Sequence, residues 1–414
     1  MTLQPKRSVS DLALFGGTPL FTEPKHVGQL YLPEWSRFES SFQGIFDRGY
    51  FTNHGPLVRQ LEERLAGYLG VRHAVCMVNG TVALMVAAKA LDLKGEVIVP
   101  AFTFIATAQA LLWAGLDPVF CDVDPVTHTM TAERVAPLIT DKTSAILGVH
   151  LWGRPCDVLP LESLARDRGL ALFFDAAHAA GCSMGNRMIG GFGHMEIFSM
   201  HATKALSAGE GGFVTTDDDR LADRLRTVRN FHLSETFVKV PLRINAKMSE
   251  AQAALGLLGL ESLPAISAAN KVLYDAYVRC LSPLDGLSPL LFDEHEANNY
   301  QYMVVEVDKN LCGYTRDQVV RLLHAEGILA RRYFTPGAHR IPPFCDRYPR
   351  FVEALPVTDG LSERLMQLPL GQGVSSGDVE KVGDLLSFLR ERREILEGDS
   401  RLDGDVLSHP RGTE

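Results

Sequence analysis

The sequence predicts an α/β fold, with a large domain built on a mainly parallel sheet and a smaller α+β domain after it. From Leu61 onward, short apolar runs alternate with helical stretches, which is the pattern of βαβ units. The apolar runs are nearly continuous, as in strands that are covered on both faces. We therefore expect four parts: 1–49, an N-terminal segment packed on the small domain; 50–255, the large domain; 256–395, the small domain; and 396–414, a disordered tail.

In the large domain, the predicted strands and helices follow one another in strict alternation. The predicted strands are His73–Val78, Glu96–Val99, Pro118–Val123, Ala145–His150 and Leu170–Phe174. The predicted helices are Leu61–Leu69, Val82–Leu91, Ile105–Ala114, Ala132–Leu138 and Leu159–Arg168.

A long helical stretch, Ser249–Lys271, which Pro264 interrupts, is predicted to lead out of the large domain. Strand character returns in Leu291–Val307 and Ala330–Phe334. Helices are predicted in Thr315–Ile328 and Asp378–Arg393. The residues after 396 are polar, with glycine, proline and scattered charges, which is typical of a disordered tail.

The composition of the 414 residues is that of an ordinary globular protein, with 46% hydrophobic and 22% charged residues. A net charge of −9 argues against binding to nucleic acid or to an anionic membrane. No apolar stretch is long enough to span a bilayer, and the seven scattered cysteines favour free thiols over a disulfide framework. The histidines and cysteines form no metal-binding motif. We therefore expect a soluble cytoplasmic enzyme without a metal.

Two short motifs follow predicted strands and are candidates for ligand contacts. In Asn79-Gly80-Thr81, a small residue at the start of a helix lets backbone N–H groups approach a phosphate. The same three residues also fit an ordinary helix N-cap. Phe104 follows the next strand and is placed to stack on a planar ring, although an aromatic side chain there also fits simple packing.

Two further motifs carry residues that ionise. Asp175 directly follows an apolar strand, where a buried carboxylate needs a partner such as a protonated pyridine nitrogen. Lys204 lies between an apolar strand and the glycine-rich Gly209-Glu210-Gly211-Gly212, and an enclosed lysine can form a Schiff base through its neutral amine. Taken singly, Asp175 also fits a helix N-cap, Lys204 a surface loop, and the nearby His178 a structural histidine.

Considered together, these motifs supply what a pyridoxal phosphate site requires. Gly80, Thr81 and Ser199 would bind the phosphate, Phe104 would stack on the ring, and the two ionising residues would hold the ring nitrogen and the aldehyde.

At this point the sequence resembles the DegT/DnrJ/StrS family, sugar aminotransferases of fold type I, over about Leu14 to Arg390. The motifs that carry the resemblance are Gly16-Gly17-Thr18-Pro19, Asn53-His-Gly55-Pro56, Gly80-Thr81-Val-Ala-Leu, Val99-Pro100-Ala-Phe-Thr103-Phe104-Ile-Ala106-Thr107, Phe174-Asp175-Ala-Ala-His178-Ala, Ser199-Met-His201-Ala-Thr-Lys204, Glu210-Gly211-Gly212 and Ile244-Asn245-Ala-Lys247-Met248. The resemblance implies a seven-stranded, mainly parallel sheet in the large domain.

The resemblance also implies roles for single residues. Lys204 would bond the cofactor and carry the proton that is transferred, while His178 would lie near the phenolic oxygen of the cofactor. Asn245 would reach the cofactor phosphate of the other subunit, which implies a homodimer with shared sites. Two positions depart from the family: Lys247 replaces the usual arginine, and His232 replaces a frequent glycine.

The substrate is predicted from the residues around the lysine. Members that act at C3 of a keto-sugar tend to have a Tyr-Pro pair before the lysine, whereas this chain has His201. That resembles the enzymes that aminate C4 of nucleotide-linked 4-keto-6-deoxyhexoses, and also the inosose aminotransferases. We therefore predict amino transfer from L-glutamate to C4 of a dTDP-4-keto-6-deoxyhexose, with a cyclitol or a C3 keto-sugar as the alternative. The candidate substrate contacts are Arg243, Arg331, Arg332 and His339.

Three other functions fit the sequence less well. The dehydratases of the family have histidine in place of Lys204. A non-catalytic regulator would have no need of the Asp175, Ser199 and Lys204 set. A nucleotide-binding Rossmann protein would carry GxGxxG after its first strand, and this chain does not.

Overall fold

The computed structural model of the protein describes residues 6–28, 31–231, 238–396 and 398–403. The strands are β1 Lys25–His26, β2 His73–Met77, β3 Glu96–Pro100, β4 Asp117–Cys121, β5 Thr143–Val149, β6 Ala171–Asp175, β7 Ser183–Met184, β8 Arg187–Met188, β9 Met195–Ser199, β10 Gly212–Thr216, β11 Leu287–Pro289, β12 Met303–Val307, β13 Ile328–Leu329 and β14 Leu365–Leu368. The α-helices are α1 Trp35–Arg48, α2 Pro56–Leu69, α3 Gly80–Ala90, α4 Ile105–Trp113, α5 Ala132–Val135, α6 Val158–Arg168, α7 Asp219–Arg229, α8 Glu250–Leu281, α9 Lys309–Cys312, α10 Arg316–Ala325, α11 Phe344–Arg347, α12 Pro356–Arg364, α13 Ser376–Glu391 and α14 Arg393–Leu396.

A seven-stranded sheet, in the order β2-β10-β9-β6-β5-β3-β4, forms the centre of the large domain. The strands from β9 to β4 run parallel, and β10 is antiparallel to both of its neighbours, β9 and β2. The α/β class and the mainly parallel, seven-stranded sheet are thereby confirmed. Because β2, β3, β6 and β9 all run in one direction, their carboxyl ends meet at the same edge, where parallel sheets bind ligands.

The long helix α8 joins the core of the large sheet to a second hydrophobic core. Its start is fixed by a capping box between Ser249 and Gln252. Its first half packs Leu263 into the core of the large sheet, and its second half packs Tyr277 into the second core. The interruption predicted at Pro264 does not occur, because the helix is held by buried side chains on both sides of the proline.

The second core lies between the antiparallel sheet β11-β12-β14 and the helices α8, α10 and α13. The N-terminal residues Leu12, Leu20 and Phe21 are buried in it. The carboxylate of Glu326 accepts backbone N–H groups from Ala13 and Leu20, which fixes the N-terminal segment to this core.

The structure differs from the sequence prediction in two places of the small domain. No strand forms at Ala330–Phe334, where one was predicted: β13 comes just before it at Ile328–Leu329, only Arg331 makes an isolated bridge to Gln367, and Phe334 stacks on Trp152 with ring centroids 5.3 Å apart. Part of the tail predicted to be disordered from residue 396 is packed on the protein, since Leu396 and Leu402 are buried in the second core. Residues 404–414 lie outside the described part of the chain.

Among the described residues, the helices are all too short or too polar to cross a bilayer. No group of three or more potential metal ligands is found in the same residues.

Candidate active site

A cavity of about 640 Å³ opens at the carboxyl edge of the large sheet. Its far wall comes from the small domain, through Tyr302, Arg331, Tyr333 and Phe334. Eight residues singled out from the sequence line it: Gly80, Thr81, Phe104, Asp175, His178, Ser199, Arg331 and Lys204. Residues that lie more than a hundred positions apart in the chain are thus brought to one cavity by the strand order.

The N-terminus of α3 forms one side of the cavity. Asn79 caps the helix by accepting the N–H of Val82 at 2.8 Å, so the N-cap expected as the alternative is present as well. The first N–H groups of a helix have no acceptor within the helix, and the helix dipole favours an anion there. Gly80 allows a close approach, because a Cβ at that position would lie 3.1 Å from Cβ of Ser199.

Asp175 ends β6 and is buried at the base of the cavity. One carboxylate oxygen accepts the hydroxyl of Thr107 at 2.7 Å, and the other accepts the N–H of Ala177 at 3.0 Å. Burial raises the pKa of Asp175, while these two donors, Lys204 and His150 act in the opposite direction. The carboxylate therefore sits where an additional positive charge would stabilise it strongly.

Lys204 lies in the connection between β9 and β10 and is half-buried in the cavity wall. Burial lowers the pKa of Lys204 to about 8, against the attraction of Asp175, and the positive charge of Arg331 contributes in the same direction as burial. The amine Nζ donates to the hydroxyl of Tyr302 at 2.9 Å. A substantial share of neutral amine is therefore present near pH 8, as a nucleophile or a proton acceptor requires.

His178 is buried beside the same cavity. Its Nδ1 accepts the backbone N–H of Trp152 at 3.3 Å, and its ring stacks on that indole with centroids 5.8 Å apart. Burial, with the nearby charge of Lys204, places the pKa of His178 well below its ordinary value. The imidazole is therefore neutral, and with Nδ1 as an acceptor its proton is on Nε2.

Phe104 and Ser199 also line the cavity. Phe104 is the N-cap of α4, and its side chain is 51% exposed although the cavity is adjacent. An aromatic ring left half exposed at a cavity wall is available for contact with a ligand. The hydroxyl of Ser199 accepts the N–H of His201 at 3.3 Å, so its own proton remains available to a ligand.

Of the four residues predicted to contact the substrate, Arg331 alone is found in the cavity wall, where Nη1 donates to the hydroxyl of Tyr333 at 2.9 Å. His339 is fully buried elsewhere, with Nε2 3.2 Å from the carboxylate of Asp359. Arg243 donates to the backbone of Phe231. Arg332 faces Asp317 at 3.5 Å. These three do not line the cavity, and their contact with a substrate stays a prediction.

Asn245 is exposed and does not line this cavity. Lys247, at the position where the family usually has arginine, points its amine at Asn230, 3.4 Å away, and at the ring of Phe231. His232, the other departure from the family, lies outside the described residues.

Three functional candidates were not found from the sequence. Thr107 was noted only as part of a motif, although its hydroxyl donates to Asp175 and lies 3.0 Å from that of Thr103, which precedes α4. His150 lines the cavity and pairs with the buried Glu196 at 2.8 Å. No sequence motif around Tyr302 marks it as functional, because its contact with Lys204 depends on the packing of two domains.

Comparison with known proteins agrees with this geometry. The sequence model of the DegT/DnrJ/EryC1/StrS aminotransferase family matches residues 35–387. A relative from Escherichia coli, a dTDP-4-amino-4,6-dideoxy-D-glucose transaminase, is 32% identical over 362 residues, which are 87% of this chain and 97% of the relative. Its counterpart from Shigella dysenteriae is 33% identical over 372 residues, which are 89% and 99% of the two chains.

Among solved structures, the crystal structure of DesI, determined in the presence of its TDP-sugar product, superposes with a TM-score of 0.89. The two sequences are 43% identical, and the match covers 94% of this chain and 98% of DesI. The resemblance found in the sequence motifs is confirmed: the chain belongs to the DegT/DnrJ/EryC1/StrS aminotransferase family.

Proposed function

We propose that this aminotransferase uses pyridoxal phosphate to move an amino group from L-glutamate to C4 of a dTDP-4-keto-6-deoxyhexose. The observation that carries the proposal is the meeting of Lys204, Asp175 and the N-terminus of α3 at one cavity. The names of the relatives from E. coli and S. dysenteriae support the sugar nucleotide and the position of amination.

The cavity fits the cofactor on three counts. The volume of about 640 Å³ is within the range of small-molecule sites and leaves room for a substrate. A Cβ at position 80 would crowd Ser199, so the glycine keeps space free at the N-terminus of α3, where a phosphate would bind. The buried carboxylate of Asp175 is destabilised by its burial, and a protonated ring nitrogen would compensate for that.

In this arrangement Gly80, Thr81 and Ser199 would hold the phosphate, and Phe104 would cover one face of the ring. His178 would contribute a neutral N–H beside the phenolic oxygen. When bound, pyridoxal phosphate supplies an electron sink for a carbon that loses a proton.

The chemical steps of the chain itself belong to Lys204. As a neutral amine it takes the proton from the α-carbon of the amino donor, and as an ammonium it gives a proton to the carbon that receives the amino group. A pKa of about 8 suits both steps, because the neutral amine and the ammonium form are both populated near neutral pH. Asp175 would hold a protonated ring nitrogen through both steps.

We also propose a homodimer in which Asn245 reaches the cofactor phosphate of the other subunit. Its exposure, away from the cavity of its own chain, supports this assignment. An Asn245→Ala variant should then bind pyridoxal phosphate more weakly without a change in its own fold, and mixing it with a Lys204→Ala variant should restore part of the activity in hybrid dimers.

The cofactor assignment is tested by the absorbance spectrum of the purified protein, followed by borohydride reduction and peptide mapping. A stable adduct on Lys204, absent from a Lys204→Ala variant, is the expected result. An adduct on another lysine, or no adduct at all, would remove the basis of the proposal.

The substrate is tested by incubating the enzyme and L-glutamate with a panel of nucleotide-linked 4-keto-sugars, nucleotide-linked 3-keto-sugars and inososes. Amination of a dTDP-4-keto-6-deoxyhexose at C4 is expected. Amination of an inosose or of a 3-keto-sugar alone would show that the substrate is one of the two alternatives.

A further inference from the structure

The hydroxyl of Tyr302 is the hydrogen-bond partner of the Lys204 amine. Lys204 Nζ donates to it at 2.9 Å and also lies 5.7 Å from the centre of the phenol ring. The ring is buried, with the imidazole of His178 at 4.5 Å and the indole of Trp152 at 5.5 Å between centroids. These neighbours hold the ring, so the hydroxyl is presented to Lys204 in a fixed position.

Two hydrogen bonds tie the segment that carries Tyr302 to the large domain. The side-chain amide of Asn299 donates to the carbonyl of His178 at 2.9 Å. The side-chain oxygen of Gln301 accepts the N–H of Ala205, the residue after Lys204, at 2.8 Å. Tyr302 and Lys204 therefore belong to one hydrogen-bonded unit, although they come from different domains.

The charge state of the pair suits a donor–acceptor contact. Burial raises the pKa of Tyr302 well above its ordinary value, so the phenol keeps its proton at neutral pH. Its oxygen can accept a hydrogen bond from the amine both when Lys204 is neutral and when it is charged.

We propose that Tyr302 is the positioning residue for the proton transfer by Lys204, a role that rests on the function proposed above. Its oxygen accepts one N–H of the amine, which directs the lone pair, or the transferable proton, toward the cavity. In the first half-reaction the proton leaves the α-carbon of the amino donor for Nζ, and in the second Nζ gives a proton to the carbon that receives the amino group. Between the two half-reactions the proton would stay on the bound cofactor, while Tyr302 keeps its own proton throughout.

The test is a Tyr302→Phe variant, which keeps the ring and loses the hydroxyl. The matched control is Tyr274→Phe, since Tyr274 is also buried but donates to the backbone of Leu290, outside the cavity. The first readout is the half-reaction with L-glutamate and with α-deuterated L-glutamate. In Tyr302→Phe we expect the maximal rate to fall by about 10- to 100-fold, the KM for glutamate to change by less than about threefold, and the deuterium isotope effect to increase.

The second readout does not depend on turnover. In protein freed of cofactor, the rate at which trinitrobenzenesulfonate modifies Lys204 is followed against pH by peptide mapping. Loss of the acceptor destabilises the ammonium form, so the midpoint in Tyr302→Phe should fall by about one pH unit, while Tyr274→Phe should keep the wild-type midpoint.

The outcomes separate this role from the function on which it rests. A wild type that transaminates while Tyr302→Phe keeps its rate, isotope effect and midpoint would overturn the role and leave the proposed function intact. A slower Tyr302→Phe with unchanged isotope effect and midpoint would show a structural role only and would equally overturn the proposal. A wild type without a cofactor adduct on Lys204 would overturn the proposed function and this role together.

Discussion

Replacing Thr107 by valine removes the hydroxyl that donates to Asp175 and keeps the shape of the side chain. The bond is 2.7 Å long and both residues are buried. A hydrogen bond to a charged group contributes about 1.5–3 kcal/mol, and one pKa unit corresponds to about 1.4 kcal/mol. The substitution should therefore raise the pKa of Asp175 by about one to two further units.

The sign of this change decides the assay. A carboxyl group with a higher pKa takes up its proton at higher pH, and the protonated form no longer pairs with a protonated ring nitrogen. The affinity of the cofactor-free protein for pyridoxal phosphate is measured by fluorescence from pH 9 down to pH 5. As the pH falls, the affinity of Thr107→Val should decline at a pH about one to two units above the pH at which the wild type loses affinity.

The matched control is Thr227→Val, because Thr227 is also a buried helix residue whose hydroxyl donates, in this case to the carbonyl of Asp223. This variant should follow the wild-type curve. Identical pH curves for Thr107→Val and the wild type, with both proteins folded, would refute the reasoning that the hydroxyl sustains the charge of Asp175.

Three other outcomes are expected. Gly80→Ala should weaken the binding of pyridoxal phosphate by about tenfold, because the new Cβ would lie 3.1 Å from that of Ser199, whereas binding of pyridoxal without its phosphate should be unaffected; equal losses for both would contradict the assignment. The attachment of pyridoxal to Lys204 should accelerate with pH around a midpoint of about 8, and a midpoint near the 10.5 of an ordinary lysine would disprove the effect of burial. For Glu62, burial opposes ionisation, but the charge of Arg229 holds its pKa at about 2, so its contribution to the free energy of unfolding is complete above pH 4.5 and is lost as the pH falls toward 2. Urea unfolding of Glu62→Gln should show a lower stability at pH 7 and a weaker loss on acidification, and a variant as stable as the wild type at pH 7 would exclude the pair as a stabilising contact.

The parts of the fold that could be predicted are those that depend on sequence patterns within short segments. The alternation of apolar runs and helices is visible over windows of about ten residues, and a parallel sheet brings the ends of its strands to one edge. Asp175 and Ser199 both end strands of that sheet, which is why the sequence could place them at one cavity.

The parts that could not be predicted depend on contacts between distant segments. Lys204 and Tyr302 are 98 positions apart, and no pattern around Tyr302 indicates the contact. His339 and Arg243 were chosen as substrate contacts on loops, but the structure buries His339 beside Asp359 and directs Arg243 to the backbone of Phe231. The sequence identifies a basic residue, but it does not show which acceptor that residue contacts after folding.

The position of β2 at one edge of the large sheet has a consequence for how the chain folds during synthesis. Its neighbour in the sheet is β10, which follows about 135 residues later. At about 5–20 residues per second, a ribosome needs on the order of ten seconds to make that stretch. During this interval β2 has unpaired backbone groups along an apolar strand, which is the kind of edge that promotes association between chains. The sheet is thus completed late, when Gly212–Thr216 inserts between two strands that have already been made.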